Sequence, residues 1–99
     1  MTALPTHPTF AEHLNTKFRL LRDGSDPLEM ELIEVGEFNQ TPNQEWFSIV
    51  FRGADEALLR QGVYPFEHDQ MGEFELFIVP ISRKADGYYY EAVFNRMRQ

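Results

Sequence analysis

Ninety-nine residues, of which 42% are hydrophobic and 14% aromatic, suffice for one packed domain and exclude a disordered chain. Nine Lys and Arg face sixteen Asp and Glu, a formal net charge of −7, divided as three against eight in residues 1–50 (−5) and six against eight in residues 51–99 (−2). Such a field repels nucleic-acid phosphates and anionic lipid, and the absence of cysteine removes disulfides, thiolate nucleophiles and zinc–thiolate sites.

Residues 1–8, with Pro5 and Pro8 and no periodicity, read as an irregular arm preceding a single β domain over residues 9–99. The arm has no basic stretch followed by an apolar run. No segment approaches the roughly 20 apolar residues of a membrane span, so a cytoplasmic protein without a membrane partner is expected. Thr9 and Glu12 have the spacing of a capping box, and Phe10 and Leu14 lie four apart, which predicts a short helix over 9–15. A helix that short persists only when docked.

From Lys17 the pattern changes to period two, and strands are predicted over 17–22, 28–38, 46–52, 63–69, 73–81 and 88–95. Asp23-Gly24 and Asp86-Gly87 mark turns, and antiparallel meander connections are the simplest arrangement. In the second strand the apolar parity slips from Leu28, Met30 and Leu32 to Ile33 and Val35, which predicts a bulge near Leu32 and Ile33. Pro65 places the fourth strand at an edge or a kink. Residues 39–45 and 53–62 read as the longest loops, the second allowing a helical turn at 55–60. These elements form a mainly β fold, a small antiparallel six-stranded barrel or roll with a short N-terminal helix, with a two-sheet sandwich as the second arrangement.

Chemical signatures are sparse. His7, His13 and His68 lie in arm, helix and strand with no HxH or HExxH spacing, and His68 shares parity with Tyr64 and Phe66 as a packed residue does. Ser25, Ser48 and Ser82 lie in no nucleophile motif, and neither a Walker loop nor GxGxxG occurs. Glu29 and Glu31 share a solvent face, and Arg52 suits a salt bridge to a neighbouring acid. No catalytic residue, metal site or cofactor is assigned, and an enzyme is not expected.

The segments Phe47-Ser48-Ile49-Val50-Phe51-Arg52-Gly53, Leu76-Phe77-Ile78-Val79-Pro80-Ile81 and Tyr90-Glu91-Ala92-Val93-Phe94-Asn95, together with Gly62-Val63-Tyr64, Glu67-His68 and Met71-Gly72-Glu73, carry a resemblance. The chain from Phe10 to Asn95 resembles an uncharacterised bacterial family, a domain of unknown function of about this length. The resemblance implies no catalytic residue, and its association with phage-tail-collar-like genes implies a structural or assembly accessory.

Alternation places Phe47, Ile49, Phe51, Phe74, Leu76, Ile78, Tyr90 and Phe94 inside. Trp46, Val50, Phe77, Val79, Ile81, Tyr89 and Val93 then face outward, more apolar surface than a monomer comfortably exposes. Trp46, Val50, Phe77, Val79 and Tyr89 are therefore the candidate interface, partly covered by the helix around Phe77 and Val79 and otherwise by a protein partner or a second copy. The expected function is a non-enzymatic interaction or assembly domain. The alternative is a small-ligand-binding β-barrel, which needs a pocket of roughly 300 Å³ or more.

Overall fold

The structure, a computed structural model, describes residues 5–54 and 58–97. Its elements are α1 (His7–Glu12), β1 (Lys17–Arg22), β2 (Ser25–Val35), β3 (Asn39–Thr41), β4 (Gln44–Gly53), β5 (Gly62–His68), β6 (Gly72–Lys84) and β7 (Gly87–Met97). One antiparallel sheet runs in the order β2-β1-β5-β6-β7-β4-β3, and a further β2–β4 pairing closes it. The result is a six-stranded barrel with β3 as an extra strand on β4, which decides between barrel and sandwich.

Local chemistry sets the turns and bends. Gly87 has φ +136°, and a Cβ there would lie 2.0 Å from the Gly53 carbonyl oxygen, so the β6–β7 turn admits glycine alone. The expected bulge is present: Leu32 faces Phe51 and Glu34 faces Val50, leaving Ile33 as the extra residue. A second bulge at Ile81 follows Pro80 in β6.

Four expectations require correction. The connections are two meanders, not one, because the chain leaves β4 and re-enters at β5, beside β1 and β6. β5 is interior in the strand order, and the expected edge holds only locally: Phe66 and Glu67 pair with β1, whereas Gly62 to Pro65 pair with β6 alone, Pro65 having no N–H to extend the β1 ladder. Residues 39–45 contain β3, whose Asn-Gln-Thr sequence has no apolar alternation and is ordered by pairing with Gln44, Glu45 and Trp46. Of the predicted turn at 55–60, residues 55–57 lie outside the described residues, and 58–60 are not helical. Leu59 nonetheless packs on the core there, its N–H donating to the Tyr90 hydroxyl at 3.0 Å.

The helix also differs from its signature. It starts at His7, with Thr6 as N-cap and Pro8 in the first turn, and no side-chain capping bond is formed. It ends at Glu12, so Leu14 lies beyond it and is 39% exposed. Asn15 takes φ +67°, a left-handed geometry asparagine tolerates, and its N–H donates to the Leu32 carbonyl at 2.7 Å. The first turn of the helix borders a groove beside Phe77 but leaves that ring 52% exposed, and the helix turns Phe10 into the barrel interior, where it is fully buried.

Phe10 meets rings from four strands: Phe94 at 5.3 Å, Phe74 at 5.9 Å, Phe47 at 6.3 Å and Phe18 at 6.5 Å between centroids. Filled by these rings and by Leu20, Leu32, Ile49, Phe51, Phe66 and Ile78, the barrel has a packed interior. Phe10→Ala is expected to cost about 3–5 kcal/mol, whereas Leu14→Ala should change stability by no more than about 0.5 kcal/mol. Denaturant unfolding of the two variants tests this, and equal losses would contradict the placement of the helix.

Candidate functional site

Every neighbouring pair of barrel strands is hydrogen-bonded, but the β6–β7 ladder covers only part of the length of its two strands. Between β6 and β7 the register runs from Lys84↔Gly87 to Val79↔Glu91 and stops there. Each strand continues beyond that point on its other side, β6 along β5 to Gly72 and β7 along β4 to Met97. The two therefore diverge into a wedge that opens toward the end of the barrel holding α1. Phe74 and Phe94 stand on opposite sides of this seam, and Phe10 lies between them.

A groove of about 660 Å³ lies along the seam and reaches down to members of the core. Its base is Leu76, Ala92 and the stacked rings of Phe47 and Phe94, 4.5 Å apart and 5° from parallel. Phe77 and Val93, 52% and 62% exposed, line it from β6 and β7. Pro5 of the arm and Pro8 in the first turn of α1 close the third side. His7 fixes that arm by donating Nε2–H to the Gly36 carbonyl at 2.8 Å and by packing edge-on against Phe47 at 5.0 Å. Gly36 itself lies close against β4, donating its N–H to the Ser48 carbonyl at 2.7 Å, where an added Cβ would press on that oxygen. The polar rim consists of Glu75, Asn95 and an Arg96–Glu45 ion pair at 3.2 Å.

Of the five candidate interface residues, Phe77 alone lines this groove. Val79 and Tyr89 are half-buried where the β6–β7 ladder is intact, and Trp46 is half-buried opposite Asn39 and Asn95. Tyr89 is engaged locally: its hydroxyl donates to Asp86 at 3.0 Å and the Lys84 ammonium lies 4.7 Å from its ring centroid. Val50 is not available to a partner, being 7% exposed. It faces outward on a strand paired on both sides, between the longer side chains of Glu34 and Glu91. Val93, expected outside but not among the five, and Phe38 are the other exposed large apolar residues that line the groove.

The histidines form a separate cluster. His13 and His68 rings are 4.7 Å apart, edge to face. His68 Nδ1 accepts from the Gln70 and Met71 amides at 3.1 and 3.3 Å, so its proton sits on Nε2 and is donated to Thr16 Oγ1 at 3.0 Å. Thr16 in turn donates to the His13 carbonyl at 2.6 Å. In this direction His68 cannot take the Thr16 proton, and the chain of bonds ties the helix exit to the β5–β6 turn. Among the described residues no group of three or more His, Asp or Glu is placed to hold a metal ion. Arg52 binds Glu31 and, at 3.3 Å, Asp86, the expected salt bridge. Arg19 joins Glu67 and Asp69 at 2.7 Å each and reinforces the short β1–β5 pairing.

Burial, with help from the His13 charge, lowers the His68 pKa, while hydrogen bonds to the Thr9 carbonyl and Gln70 raise that of His13. Both start from an ordinary value near 6.5. His13 thus contributes stability present below about pH 6.5 and lost as pH rises through its higher folded value. His68, whose folded form prefers neutrality, contributes stability present above about pH 6.5 and lost as pH falls toward its lower folded value. Unfolding free energies across pH 5–9 should show His13→Gln flattening the alkaline limb, with a smaller easing of the acid limb because the His13 charge is lost, and His68→Gln flattening the acid limb; reversed limbs would refute the assignment.

Among the described residues no helix is long and apolar enough to cross a membrane. No curated protein and no solved structure matches the chain closely enough to carry an argument. The family model of a domain of unknown function, DUF6916, matches residues 5–94, which takes in the arm that walls the groove, the helix and every barrel strand up to Phe94. The chain belongs to the DUF6916 family.

Proposed function

We propose that this domain is a non-enzymatic interaction or assembly module that receives a partner polypeptide at the open seam between β6 and β7. The observation that supports this reading is the contrast between a barrel filled with aromatic side chains and an apolar concavity on its outside. Among the described residues the barrel interior is occupied by aromatic and aliphatic side chains. The seam offers exposed Phe77 and Val93 beside main-chain edges that the β6–β7 ladder leaves unpaired.

A second reading, a carrier of a small apolar ligand, is favoured by the groove volume of about 660 Å³, which lies within the range of ligand sites, roughly 300–1,000 Å³. Phe77→Glu and Val93→Glu separate the two. Both residues are exposed, so each variant should fold with a stability change of about 1 kcal/mol or less. Tagged protein recovered from its native cells should co-purify with a specific polypeptide that both variants lose. Recovery of a stoichiometric small molecule in place of a polypeptide would support the carrier, and unchanged partners in both variants would remove the seam from consideration.

A further inference from the structure

Along the outer face of β6 the sequence reads Glu73, Glu75, Phe77, Val79, alternate residues that project to the same side of the strand. Glu75 and Phe77 both border the groove. Among the described residues neither Glu73 nor Glu75 takes part in an ion pair, whereas Glu29, Glu31, Glu45 and Glu67 each have a cationic partner. The seam thus sets two uncompensated carboxylates in line with an exposed aromatic ring, in a chain of net charge −7.

Its backbone is also available. Every second residue of a strand turns its amide and carbonyl to one side, and from Gly72 to Ile78 the side facing β7 has no strand partner among the described residues. The bonds of the arm do not use it: among the described residues the Thr6 carbonyl accepts from the Phe10 amide, and His7 reaches Gly36 at the end of β2.

Resting on the proposed reading of the seam as a docking site, we infer that its occupant is an extended peptide segment that adds to the β6 edge and carries a basic side chain two residues from an apolar one. The apolar side chain packs on Phe77 and Val93, and the basic one meets Glu75, with Glu73 extending the acidic row. A strand two residues out of step would set its cation against Phe77, so main-chain bonds supply attachment and the apolar-x-basic spacing supplies register.

The test uses capped eight-residue peptides with the full chain, read by amide chemical shifts. One peptide alternates with a Leu-x-Lys spacing, a second has Glu in place of Lys, and a third is scrambled to break the two-residue spacing. The Leu-x-Lys peptide should shift the amides of residues 73–77 and 92–95, and the Glu peptide should bind about tenfold more weakly at low salt, with the gap closing as salt rises. Glu75→Lys should reverse the preference. Equal binding of all three peptides at the seam would overturn the inference while leaving the docking reading intact. Absence of any seam shift would overturn it too, and if the protein is dimeric and Phe77→Glu makes it monomeric, the occupant is a second copy. Displacement of a bound lipid-like probe with no peptide effect would overturn both.

Discussion

An antiparallel barrel in which one ladder stops partway along its strands must fill the opening, and here one aromatic ring does so. Beyond Val79 and Glu91 the strands β6 and β7 part, and Phe10 stands between Phe74 and Phe94 where their pairing would have continued. The helix that carries Phe10 has six residues, too few to persist in isolation. Helix and barrel are consequently interdependent: the barrel end needs the ring to exclude water, and the helix needs the barrel for its conformation.

The polar contacts follow from this arrangement. His7 holds the helix start against Gly36 and Phe47, while Thr16 and His68 hold its exit against the β5–β6 turn. Arg19 reinforces β1 against β5, where only two residues pair. Each of these contacts sits beside a short ladder or a short helix, where backbone hydrogen bonds are fewest. Partly exposed ion pairs contribute only about 0–1 kcal/mol each, so their effect is to fix geometry more than to supply the bulk of stability.

An opening filled from within still leaves its outer side concave. Phe10 satisfies the core, but the outer residues Phe77 and Val93 keep their exposure, and the unpaired edge of β6 lies next to them. The same divergence of strands that requires the helix thereby creates the groove proposed as the docking site. Folding and the proposed recognition both depend on the incomplete β6–β7 ladder.

Much of the architecture follows from local pattern. Period-two alternation identified six barrel strands and put Phe47, Ile49, Phe51, Phe74, Leu76, Ile78 and Tyr90 in the core, because side-chain direction in a strand is fixed by the backbone alone. The parity slip at Ile33 marked its bulge for the same reason. What the tertiary structure decided was how far each ladder extends. The end of the β6–β7 pairing at Val79 and Glu91 depends on what occupies the space beside it, a ring from a distant helix, and no local pattern encodes that. Parity likewise placed Val50 outside but could not reveal that flanking strands bury it, and it gave Phe10 and Leu14 equal standing although the chain leaves the helix between them. Phe77 was legible as an exposed residue from its parity alone. That it shares a groove with Val93 and the proline arm emerged only when strands β6 and β7 and the N-terminal segment were brought together in space.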